Sequence, residues 1–180
     1  MAEPRIPAMD ALSRFAPAIE LLLDRLSAAP ARNAAGGERA FPVYDSGCLL
    51  LAVPVQWHEE FEIDGTRCSL VFREPQGAVT LRMETSVLSV QESLAFSVED
   101  MRNEVQVAAR AACAPGIQVF AGRHGGGFHF ATVEPATGRR VMQGRFLARP
   151  LLFDFKIDAG SAGAARLALE LVRGARAAAG

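Results

Sequence analysis

In Leu151-Leu152-Phe153-Asp154-Phe155-Lys156-Ile157-Asp158 every odd position is a large apolar residue, and from Asp154 onward every even position is charged. Successive side chains on a strand point to opposite faces, so this stretch reads as a strand with one dry and one wet face. That pattern marks an antiparallel sheet, because parallel strands are buried on both faces. Val79, Leu81 and Met83 alternate with Thr80, Arg82 and Glu84 in the same way. Between Trp57–Ile63 and Cys68–Arg73 lies Asp64-Gly65-Thr66, and Asp-Gly is a strong hairpin signal. Cys48 to Val53 reads as a short apolar strand closed by Pro54, and Ile117–Ala121, Phe128–Val133 and Arg140–Ala148 complete the set.

Helical periods separate these strands. Val98, Met101, Val105, Ala108 and Ala112 form an apolar stripe that starts at a Ser97–Asp100 cap and ends at Ala114-Pro115-Gly116. A last helix starts near Ser161, with Ala164, Leu167, Ala168, Leu171 and Ala175 facing inward. Upstream, Leu12, Phe15, Ile19, Leu22 and Leu26 mark a helix over residues 8–28, broken near Pro17, and the Ala/Gly-rich residues 28–40 read as a linker. The expected organisation is an N-terminal helix and flexible linker over residues 1–40, then a single domain over 41–180. Runs of strands separated by single helices make that domain α+β, with a mainly antiparallel sheet flanked by helices.

Composition narrows the class. With 180 residues, 50% apolar and a net charge of -1, the chain suits one globular domain and not a disordered one. No run reaches the ~20 apolar residues of a membrane span. A pI near 6.3 argues against a general nucleic-acid binder. Residues 1–105 carry about -7 and residues 106–180 about +6, and we expect the two halves to interleave so that the fields largely cancel. Of the basic residues only Lys156 is lysine, a bias of GC-rich, bacterial coding. Three cysteines (Cys48, Cys68 and Cys113) without a Cys-x-x-Cys pair read as small buried hydrophobes in a reducing compartment. The N-terminus lacks an export pattern, so the expected location is cytoplasmic, or periplasmic if a signal peptide has been removed.

Several constellations invite a chemical reading. Gly122-Arg123-His124-Gly125-Gly126-Gly127 opens a strand rather than a helix and lacks the Lys of a phosphate loop. It reads as a wide hairpin turn with glycines at positive φ. A metal would need about three converging ligands, and His58, His124 and His129 are the weak candidates, with Glu59, Glu60 or Glu62 assisting. His124 and His129 could meet across a hairpin, although His129 faces away from Phe128 and Phe130. Glu59, Glu60, Glu62 and Asp64 could supply paired carboxylates for acid/base work. On a strand they more often solvate a face and blunt an edge. Trp57 reads as a core anchor, and Arg139, Arg140, Arg145 and Arg149 as a solvated hairpin rather than a basic ribbon.

Residues 48–57 (Cys-Leu-Leu-Leu-Ala-Val-Pro-Val-Gln-Trp) resemble the opening strand, Pro and Trp of the PsbP-like superfamily. Gly126-Gly127-Phe128-His129-Phe130, Met142-Gln143-Gly144-Arg145-Phe146, Leu151 to Ile157 and the terminal helix are similar to its later elements, so the resemblance spans about residues 41–178. It implies an α/β/α sandwich of the kind found in Mog-type adaptors, DcrB-like lipoproteins and secretion-effector chaperones, most of them non-catalytic binding modules. It carries over no site residue and no cofactor. The expected function is a non-catalytic domain that binds a protein partner, as an adaptor or secretion-related chaperone. The alternative is a metal- or small-ligand-binding protein or hydrolase using His124, His129 and the Glu59–Glu62 region.

Overall fold

A computed structural model describes residues 38–43, 47–64 and 67–177, and the helix and most of the linker expected over residues 1–40 lie outside the described residues. Among the described residues ten strands and three helices follow one another: β1 (Arg39–Val43), β2 (Gly47–Leu51), β3 (His58–Asp64), β4 (Arg67–Arg73), β5 (Val79–Val87), α1 (Val90–Ala95), α2 (Val98–Ala111), β6 (Gln118–Ala121), β7 (Gly126–Val133), β8 (Arg140–Ala148), β9 (Leu151–Ala159), α3 (Ala162–Gly174) and β10 (Arg176–Ala177). The class is α+β and sheet-rich. Seven strands pair in the order β3-β4-β5-β9-β8-β7-β6, and a second, three-stranded sheet has the order β1-β2-β10. Every pairing is antiparallel.

The stretch that announces the fold is its centre. β9 lies between β5 and β8, with Leu81 opposite Ile157, Met83 opposite Phe155, and Phe146 opposite Phe153. Leu151, Phe153, Phe155, Ile157 and Ala159 are all buried on one face. Onto this face pack α3, through Ala165, Ala168, Leu169, Val172 and Ala175, and Leu49, Leu51, Val53 and Trp57. The opposite face carries a smaller cluster in which α2 contributes Val105 and Ala109 against Phe130 of β7. Arg145 of β8 fastens that helix: its Nε lies 2.6 Å from Asp154 Oδ1 across the ladder, and its Nη1 donates to Glu104 of α2.

Several sequence expectations shift. β1 begins at Arg39, inside the stretch read as linker, and both β1 and β10 are additions to the expected strands. α1 is a further element; its Ser89 and Glu92 form a reciprocal capping box, and it buries none of its own residues. On α3 Ala168 and Ala175 are buried as expected and Ala164 and Leu171 are partly so, but Ala165, Leu169 and Val172 join the buried stripe and Leu167 is 51% exposed. Apolar residues occur on more than one side of this helix, so its own pattern leaves the inward stripe open and packing on the sheet selects it. On α2 the buried residues are Met101, Val105 and Ala109, while Val98, Ala108 and Ala112 are exposed.

The end of α2 also differs. Cys113 adopts a positive φ of 52°. Its N–H donates to Arg110 O while the Ala114 N–H donates to Ala109 O, the bond pair of a Schellman cap. Cys113 is therefore exposed, not a buried hydrophobe. Trp57 is buried as a core anchor.

Candidate functional site

The sheet order separates the residues that chemistry would have to bring together. His58, Glu59, Glu60 and Glu62 lie on β3 at one edge, whereas His124 and His129 belong to the β6–β7 hairpin at the other. From β3 to β7 there are five strand spacings, roughly 24 Å at about 4.8 Å each. His58 is exposed and shares no site with the other two histidines. Among the described residues no group of three or more His, Cys, Asp or Glu is placed to hold a metal ion.

The hairpin does not unite His124 and His129 either. His129 is 3% exposed on the α3 side of the sheet, with its ring 5.4 Å from that of Phe120 in an edge-on arrangement. Burial, aided by the positive charge of Arg173, holds its imidazole below the ordinary histidine pKa. Its Nδ1 is buried without a hydrogen-bond partner. Such a group is a neutral member of an aromatic cluster. Phe120 completes that cluster, stacking on Phe146 at 5.4 Å and meeting Phe155 edge-on at 5.8 Å. His124, in contrast, is exposed in the turn.

The carboxylates of β3 are divided too. Strand alternation sends Glu59 and Glu60 to opposite faces. Glu59 lies 2.8 Å from Arg39, and Glu60 accepts from Arg73 at 3.0 Å. The Arg73 guanidinium holds the Glu60 carboxyl below the usual carboxylate range, which keeps it ionised rather than ready to donate a proton. A single buried dyad for acid/base work is not formed by these two. What they do is charge a sheet edge.

The glycine run serves a purpose other than positive φ. Among the described residues the positive-φ glycines are Gly77, Gly116 and Gly138, none of which lies in residues 122–127. A Cβ on Gly122 would lie 2.3 Å from Arg173 O, and one on Gly127 would lie 2.1 Å from Arg145 O. The run therefore lets the hairpin press against the end of α3 and against β8. Arg123 N–H donates to Arg173 O at 3.2 Å and fixes that contact.

Between this hairpin and the start of α2 lies a cleft of about 510 Å³. Met101, Phe128 and Leu147 line it together with the more exposed Val98 and Val119, and its polar side chains are His124 and Arg149. Arg149 is held at this site by α1, donating to Ser93 O and, at 2.8 Å, to Ser93 Oγ. Two other arginines of the β8 region are engaged elsewhere: Arg139 lies 2.8 Å from Asp158, and Arg145 joins Asp154 and Glu104. Arg139 and Arg145 are thereby neutralised and do not contribute to a basic ribbon. Ion pairs such as Arg145–Glu104 and Arg176–Glu38 join the acidic and basic halves of the chain, but in the large sheet the halves lie side by side, β3-β4-β5 from the first and β9-β8-β7-β6 from the second, rather than interleaving as expected.

Sequence reasoning passed over the cleft because its residues come from α2, β6, β7 and β8. One signal was readable, namely the uncharged segment Gln118-Val119-Phe120-Ala121 ahead of the glycines.

Comparison with known proteins adds little. No protein-family model matches the chain, and no curated protein matches it. Among solved structures, LpqN of Mycobacterium tuberculosis, described as involved in cell envelope biogenesis, is 14% identical with a TM-score of 0.34, covering 79% of this chain and 91% of that one. A TM-score of that size does not define a common fold. No helix among the described residues is long and apolar enough to cross a membrane.

Proposed function

We propose that this chain is a non-catalytic binding domain that takes up an extended segment of another protein at the β6 edge of its sheet. The observation that carries the reading is the uncharged strand Gln118–Ala121, ending the sheet beside the apolar cleft, with Val119 76% exposed. A sheet edge offers unpaired N–H and C=O groups, and peptide recognition by strand addition uses them together with side-chain pockets. The hairpin sets which groups are offered. Gly122 N–H bonds to Gly125 O, so antiparallel alternation puts the bonded pairs at Phe120–Gly127 and Gln118–His129. The main-chain groups of Val119 and Ala121 then turn outward.

The PsbP-like, α/β/α reading of the architecture belongs with this proposal and is supported by the packing of α3 and α2 against opposite faces of the sheet. An adaptor or secretion-related chaperone is the variety that the sequence resemblance favours. A cytoplasmic setting is supported by the exposed free thiol of Cys113. A second reading, small-ligand binding, is favoured by the cleft volume, which falls in the range of ligand sites.

The test is Val119→Pro. Proline removes an N–H that faces away from β7, so the ladder and the cleft floor survive while strand addition is blocked. The full chain should retain a stoichiometric protein partner in pull-downs from its native organism, and V119P should lose it at an unchanged melting temperature. Equal retention by the folded variant sinks the proposal.

A further inference from the structure

Resting on that reading, we infer that the segment taken up at β6 is acidic as well as apolar: an apolar side chain enters the cleft and a carboxylate two positions along the segment meets Arg149. Two observations carry this. The cleft is lined by Met101, Phe128, Leu147, Val98 and Val119, which suits an apolar side chain. Its polar side chains are Arg149 and His124, and no Asp or Glu lines it. An occupant bearing a cation would be repelled, whereas a carboxylate would find a guanidinium already held in place by Ser93.

The spacing follows from strand geometry. In an extended segment, residues i and i+2 share a face and stand roughly 7 Å apart, so one can lie in the cleft while the other reaches its rim. The short strand limits the match. β6 has four residues, which sets the paired segment at about four residues and makes the cleft, not the ladder, the source of selectivity. The basic excess of residues 106–180, about +6, has the same sign as the guanidinium. In this fold, acidic and apolar residues are therefore the complement of the β6 end.

A displayed library of random octapeptides, panned on the full-length chain, tests the inference. The enriched peptides should carry a large apolar residue with Asp or Glu two positions away. A synthetic copy should bind Arg149→Glu about tenfold more weakly than the parent, the loss expected for one charge-assisted hydrogen bond. Arg149→Gln provides a second variant that removes the charge without reversing it. Enrichment without a charge preference, enrichment of basic peptides, or unchanged affinity in both variants overturns the inference while leaving strand addition intact. If V119P binds the same peptides as tightly as the parent, strand addition fails as well. A concentration-dependent dimer in sedimentation, abolished by V119P, would assign the edge to a second copy and overturn the inference. Failure to enrich any peptide does so too.

Discussion

At one edge of the seven-stranded sheet β3 presents His58, Glu59 and Glu60, and both of these glutamates are paired with arginines; at the other, β6 presents Gln118, Val119 and Ala121 without a charge. The two edges belong to the same ladder and expose the same kinds of main-chain groups. Docking a chain onto β3 would strip water from several charges, a cost that short-range pairing does not recover. Docking onto β6 removes apolar surface from water. Among the described residues, then, one edge of the sheet is lined with charge and the other is not. The charged edge is the longer, seven residues against four, as expected if exposed edge length is itself the hazard.

The largest effect is expected from detaching the open edge. Phe120 is the one buried residue of β6 and touches Phe146, Phe155 and His129. Phe120→Ala should cost about 3–5 kcal/mol in denaturant melts. A cost below about 1 kcal/mol would mean that β6 is held by its ladder alone and that its side chain is no anchor.

A pH titration addresses the same anchor. The folded chain holds His129 below its ordinary pKa, so between that lowered value and about 6.5 the unfolded chain binds more protons than the folded one. Stability from this source is complete above about pH 6.5 and declines as the pH falls through the lowered value. His129→Leu should flatten that part of the urea-midpoint profile. Glu38 and Glu60, lowered by Arg176 and Arg73, act below about pH 4.5, so the two windows separate. An unchanged slope near pH 6 in the variant would show that His129 is not the titrating group.

Smaller again is the connector that leads into β6. Cys113 spends backbone strain at φ 52°, where glycine has no steric cost. Cys113→Gly should stabilise the domain by roughly 1 kcal/mol in thermal melts, and a destabilised variant would show that the side chain contributes more than its strain. The smallest thermodynamic change belongs to β3. Replacing His58 and Glu60 together by Val should leave the melting temperature unmoved yet produce concentration-dependent association in light scattering. A double variant that stays monomeric would mean that these charges do not guard the edge.

Much of this architecture is legible in the residues. The alternations over 79–84 and 151–158, the antiparallel pairing of the strands on either side of Asp64-Gly65, the Ser97 cap and the glycine-led strand after residue 125 all match elements of the fold. β10 escapes because two residues show no period, and β1 because Pro42 and a run of Ala and Gly disguise it as linker. α1 carries a readable capping box, but six residues fall below the length at which a helical stripe is visible. The candidate site is less legible. The three histidines and the β3 carboxylates attract notice by residue type, yet the cleft is built mostly of Val, Met, Leu and Phe, whose chemistry announces only burial.

The sequence by itself determined what is local: the period of each strand, the turn and cap residues, and the face of β9 that must be dry. These depend on side chains one to four residues apart, and the chain carries that information directly. Only the tertiary structure decided that β3 and β6 are the edges, which stripe of an alanine-rich helix faces inward, and that Gly122 and Gly127 make room for Arg173 O and Arg145 O rather than for a turn. Those outcomes depend on which distant strands pair and how closely helices press on them. Long-range packing energies choose among patterns that are equivalent along the chain, and here they leave the uncharged strand beside the open cleft.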